Sequence, residues 1–182
     1  MKKIFLKLLC ILSIMNLYAC QSNTNNIPNK EILEMDKISN NITLEAAKKI
    51  CTEKDCQFGG YGGFKPDGKV KSLYLSLSYF KPIKIQEARE LLVYSTNTFL
   101  NKINSSKELR PYLENYPATE KNIELRISVS DNNNQIKPPY ISYPAMLKGT
   151  CFYYIRNDKG RLELLQKETF AKAEQIVRKA NK

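Results

Sequence analysis

Ser72-Leu73-Tyr74-Leu75-Ser76-Leu77-Ser78-Tyr79-Phe80 alternates apolar and polar residues with a period of two. A strand turns successive side chains to opposite faces, so this run predicts a strand with Leu73, Leu75, Leu77 and Tyr79 on one apolar face. Pro82 closes it, and the period changes at once. From Ile83 to about Asn104, Ala88, Leu92, Ser95, Phe99 and Ile103 fall on one face of a helix. Glu87 stands early and Lys102 late, as the helix dipole favours. A second period-two run follows, in which Ile123, Leu125, Ile127 and Val129 alternate with Glu124, Arg126 and Ser128. Its polar face implies a sheet solvated on one side, hence antiparallel or mixed.

Toward the C-terminus, Thr150–Arg156 and Arg161–Gln166 read as two strands joined by Asn157-Asp158-Lys159-Gly160, with Gly160 supplying the positive φ of a bulge-type turn. A last helix starts near Thr169 and buries Phe170, Ala173, Val177 and Ala180. Toward the N-terminus, Thr43 is placed to cap a short helix over 43–54. Five of the seven glycines then fall between Gly59 and Gly68, which reads as a bend leading into the first strand. Runs of strands uninterrupted by helices argue for α+β. The expected fold is one twisted, mainly antiparallel sheet of about four to five strands, with helices packed on one face.

The chain has 182 residues, 29 Lys+Arg, 18 Asp+Glu, five Cys and neither His nor Trp. That is enough for one domain with a real core. The missing His excludes His general bases, Ser-His-Asp and Cys-His arrangements and His-ligated zinc. The net charge is +11. No dense Lys/Arg cluster accompanies it, and nucleic acid is not the expected partner.

The start, Met1-Lys2-Lys3-Ile4-Phe5-Leu6-Lys7 followed by an apolar run to Ala19, has the basic and apolar regions of an export signal. Leu17-Tyr18-Ala19-Cys20 resembles the lipobox of bacterial lipoproteins, with Tyr18 bulkier than usual. The resemblance covers residues 1–20 only. It implies cleavage before Cys20 and lipidation of that residue, and more than one acyl chain anchors stably. Residue 21 is Gln, not the Asp that resembles an inner-membrane retention signal, so the expected site is the outer membrane of a Gram-negative host, or otherwise the outer face of the cell membrane. The expected organisation is a signal peptide at 1–19, the lipidated Cys and a tether at 20–41, and a single α+β domain at 42–182. Without residues 1–19, which hold three lysines and no acid, the net charge is +8. Anionic headgroups, an anionic envelope polymer or an envelope protein are the natural partners.

Cys51 and Cys56 are close enough in sequence for a disulfide at the end of the short helix, in a compartment that permits one. Cys151 is expected to be a buried small hydrophobe beside Tyr153 and Ile155. Without His, three cysteines make no good zinc site, and no metal or cofactor is expected. Tyr61 and Phe64 in the Gly-rich stretch, and Tyr112, Tyr116, Tyr140 and Tyr143 in Pro-bearing segments, are candidate binding residues, since Tyr offers area and a hydroxyl at low entropic cost. Ser78-Tyr79-Phe80-Lys81, Ser130-Asp131-Asn132 and Lys148-Gly149-Thr150 are similar to motifs of the penicillin-binding proteins. That family opens a helix with its nucleophile, however, whereas Ser78 and Lys81 sit at a strand end on opposite faces. Glu114, Glu120 and Glu124 have no context that marks a catalytic pair. The expected function is therefore a membrane-anchored envelope lipoprotein acting as a non-enzymatic binding or assembly module. The alternative is an envelope or secreted hydrolase using carboxylates that the sequence does not single out.

Overall fold

A computed structural model describes residues 30–131 and 136–180. The Leu17–Cys20 stretch and the lipidation expected at Cys20 lie outside these residues. Three helices, α1 (Lys30–Lys54), α2 (Ile85–Ser105) and α3 (Phe170–Ala180), accompany six strands. These are β1 (Cys56–Phe64), β2 (Ser72–Tyr79), β3 (Ile123–Val129), β4 (Tyr143–Leu147), β5 (Thr150–Arg156) and β6 (Leu162–Thr169). They form one open sheet in sequence order. Only β2 and β3 run parallel, with α2 as their crossover; the other four pairs are antiparallel. The fold is thus α+β with a mixed sheet, and its six strands exceed the expected four to five.

No period-two run marks β1 or β4 in the sequence, and β1 shows why. Its glycines hide the alternation, and they are there because the backbone is crowded. A Cβ on Gly63 would stand 2.8 Å from the Ser72 carbonyl oxygen, and one on Gly59 would stand 3.1 Å from Ser76 Oγ. Glycine in a strand often marks such a close approach or a bulge, and β1 has both. Phe58 pairs with Leu77 and Gly60 with Ser76, so Gly59 is an extra residue. The opposite margin is built likewise: Leu165 is the extra residue of β6 between Leu164 and Gln166.

The first helix is also longer than expected. Thr43 caps nothing; it lies inside α1, where its hydroxyl donates to the Ser39 carbonyl at 2.8 Å. Ser39 in turn donates to the Asp36 carbonyl. These back-bonds absorb the polar groups that would otherwise favour a cap or turn. Residues 30–41, expected as tether, are therefore helical, with Met35 and Ser39 buried, and the boundary expected at 42 moves to about residue 30.

One sheet face carries the core. Leu73, Leu75 and Leu77 of β2, Ile123, Leu125 and Ile127 of β3, Met146 of β4 and Tyr153 of β5 are buried. Against them pack Ala88, Leu92, Phe99 and Ile103 of α2, Ala46, Ala47 and Ile50 of α1, and Phe170 and Ala173 of α3. The helical faces read from the sequence are these, except that Val177 is only half-buried and Ala180 is exposed. Gly160 has φ 74° in the β5–β6 turn, as expected. The Lys148-Gly149 turn between β4 and β5 has positive φ at both residues, the backbone of a type I′ hairpin. Lys148-Gly149-Thr150 is thus a turn, and Lys81 pairs with Asp55 at 2.6 Å, while Asn132 of the 130–132 motif lies outside the described residues.

Candidate functional site

The other face of the sheet, between the two margins, is the candidate site. Register alone assembles one row across it. Gly60 pairs with Ser76, Ser76 with Arg126, Arg126 with Ala145, Ala145 with Phe152 and Phe152 with Lys167. Side chains of directly paired residues share a face. The row therefore runs from glycine and serine, through a guanidinium, to a small residue, a ring and an ammonium.

Aromatic rings flank it. Tyr154 stacks beside Phe152 with centroids 6.3 Å apart and planes 17° from parallel. Tyr143, paired with Tyr154 in register, has its ring centroid 6.3 Å from that of Tyr154. The Arg126 guanidinium sits 4.9 Å from the Tyr74 ring centroid and pairs with Glu124 at 3.2 Å. Burial pushes the Tyr143 hydroxyl above the usual tyrosine pKa, against the pull of Arg126. Arg126 is 43% exposed, so the guanidinium remains open to a ligand even with these contacts. Ala145 is buried beneath its neighbours.

The structure places the six expected binding residues in several regions. Tyr143 alone belongs to the cluster just described. Phe64, paired with Ser72 at the end of β1, lines a groove of about 530 Å³ with Lys71, Lys121, Lys148, Glu114 and Glu124. Tyr61, paired with Leu75, points to the helix side of the sheet margin, 5.9 Å from the Phe58 ring. Tyr112 is half-buried in a helical turn, Tyr116 lies exposed under the Arg110 guanidinium at 4.3 Å, and Tyr140 is exposed. Proline-bearing loops thus do not gather the tyrosines; strand register does. The parity of β2, β3 and β5 marks Tyr74, Arg126, Phe152 and Tyr154 as facing away from the core, whereas Lys167 of β6 lies beyond the strand expected at 161–166.

The groove holds two carboxylates. Glu114 pairs with Lys71 at 3.7 Å and Glu124 with Arg126. This arrangement suits charge pairing. Among the described residues, no group of three or more Cys, Asp or Glu side chains could hold a metal ion, and no helix is long and apolar enough to cross a membrane.

A second charged cluster lies inside the helix side. Arg89 of α2 donates to Glu168 of β6 at 2.7 Å and to Gln86 at 2.7 Å, and the Tyr153 hydroxyl donates to the same Glu168 oxygen at 2.8 Å. Glu168 and Arg89 side chains are 1% and 8% exposed. The other Glu168 oxygen has no hydrogen-bond partner among the described residues. Cys151, paired with Glu168 in register, is fully buried, and burial above all pushes its thiol up to about 12. The cluster joins α2, β5 and β6 and lies within the core.

Cys151 gives the fold an alkaline weakness. An unfolded thiol ionises near 9.0, whereas the folded one holds its proton to about 12. Stability from this group is complete below pH 9 and is lost as pH rises toward 12, at roughly 1.4 kcal/mol per pH unit. Urea unfolding at pH 8 to 10.5 should show a steeper decline for the natural chain than for Cys151→Ala, by on the order of 1 kcal/mol per unit. Equal slopes would refute the assignment.

Cys51 and Cys56 are both partly buried and are not joined. The Cys56 thiol donates to Cys51 Sγ at 3.1 Å, beyond the S–S bond length of about 2.05 Å, so the expected bridge is absent here. Comparison with protein-family models, curated proteins and solved structures found no match for the chain.

Proposed function

We propose that this protein is a lipid-anchored component of the bacterial envelope whose domain binds an anionic envelope polymer, without catalysis. The observation that carries the binding reading is the row Arg126–Ala145–Phe152–Lys167 with its flanking Tyr74, Tyr143 and Tyr154. Rings offer flat surfaces for sugar or polymer backbone. Two cations at either side of Phe152 supply charge to an acidic group, and Arg can do so in bidentate fashion. The mature charge of +8 favours the same partner over long range. The envelope address rests on the lipobox-like Leu17–Cys20.

The full chain should be retained on an immobilised acidic polysaccharide and released by salt. Arg126→Ala and Phe152→Ala should each weaken retention about tenfold, the scale of a central binding residue. Retention unchanged by both substitutions would sink the polymer reading. Crosslinking in intact envelopes would reveal an envelope protein in its place. Cys20→Ala should abolish acyl labelling, and labelling that persists would remove the anchor.

A further inference from the structure

We propose that Cys51 and Cys56 form a closable dithiol that becomes an intramolecular disulfide under oxidising conditions, clasping the end of α1 to the start of β1. The inference is independent of what the sheet face binds. The facing sulfurs are already 3.1 Å apart, and about 1 Å of approach makes the bond.

The backbone is set up for this. Cys51 stands on the last turn of α1, which Ala46, Ala47 and Ile50 fix to the core. Cys56 opens β1 and pairs with Tyr79 of β2. Between them Asp55 adopts φ 52°, a left-handed conformation that reverses the chain directly after the helix. A non-glycine residue adopts that conformation at some expense, and here the Asp55 carboxylate is also held by Lys81. Two anchored elements thus hold the thiols face to face.

Access separates this pair from the third cysteine. Cys51 and Cys56 are only partly buried, at the margin of the core, where an oxidant has a shorter way to them than to Cys151. Cys151 has no exposed surface and sits between Met146 and Glu168 on neighbouring strands. Burial and the adjacent thiol both raise the Cys56 pKa, so closure is expected to be slow near neutral pH and faster in alkali.

The oxidant is a disulfide, from a thiol–disulfide exchange protein or a small molecule. One cysteine thiolate attacks it, releasing one thiol and leaving a mixed disulfide. The second cysteine then displaces the other half. One disulfide bond breaks and one forms. Two electrons pass from the cysteine pair to the oxidant, and the two cysteine protons end on the two released thiols.

The test uses the full chain, reduced, treated with oxidised glutathione, alkylated and mapped after trypsin. Trypsin cuts after Lys54, so a bridge joins two peptides that are otherwise separate. The expected result is a linked Cys51–Cys56 pair, lighter by two hydrogens, with Cys151 alkylated only after unfolding. Cys56→Ser should leave Cys51 carrying glutathione. Backbone hydrogen exchange at the end of α1 and the start of β1 should slow on closure. Free thiols, separate glutathione adducts on Cys51 and Cys56, or a bridge to Cys151 would each overturn the proposal.

Discussion

Arg89→Met should unfold at markedly lower urea, with a loss of about 3–5 kcal/mol. The substitution removes the guanidinium and leaves the Glu168 carboxylate buried, 1% exposed, with only the Tyr153 hydroxyl to stabilise it. Taking a charge out of water is tolerable only while its partner and hydrogen bonds are present. Glu168→Gln should also be costly, because it strands the guanidinium. The double variant Arg89→Met/Glu168→Gln removes both charges and keeps an acceptor for Tyr153. It should recover much of the stability and lose only about 1–2 kcal/mol. Strong non-additivity is the signature of two groups acting as one unit. Single losses below about 1 kcal/mol, or a double loss equal to their sum, would show that water reaches the pair.

Phe99→Ala should be comparably damaging, at about 3–5 kcal/mol. Phe99 is fully buried on α2, amid the sheet leucines and isoleucines. Truncation forfeits both the transfer of a ring from water and the contacts around the hole it leaves. Phe99→Leu retains most of the volume and should lose less than half as much. For a domain of this size each kcal/mol moves the midpoint by roughly 2–4 °C, so a thermal scan separates the two variants. Tyr116→Ala, whose ring is 49% exposed, is the control and should change little. A Phe99→Ala midpoint within a few degrees of the natural chain would mean that the core collapses into the gap.

Legibility in the sequence followed the periodicity. β2, β3 and α2 were readable because each keeps one face apolar over its whole length. β1 was not, because Gly59, Gly60, Gly62 and Gly63 occupy positions where alternation would have shown. The first half of α1 was not, because Ser39, Asn40, Asn41 and Thr43 spell a helix start in sequence. Only the packed helix reveals that Ser39 and Thr43 bond backward. The candidate site failed for a different reason. Parity along β3 and β5 turns Arg126, Phe152 and Tyr154 away from the core, but their proximity depends on which strands are neighbours and in what register. The Arg89–Glu168 pair spans 79 residues and has no local signature at all.

The two displaced residues, Gly59 in β1 and Leu165 in β6, occur on the two strands that end the sheet. Each interrupts the regular spacing of amides and carbonyls along an outer margin. A neighbouring molecule seeking to extend the sheet meets a ladder with a missing rung at both ends. Under the anchoring proposed above, copies would meet far more often than in free solution, and this irregularity would work against filaments growing along the membrane plane. It leaves such molecules able to crowd together as individuals.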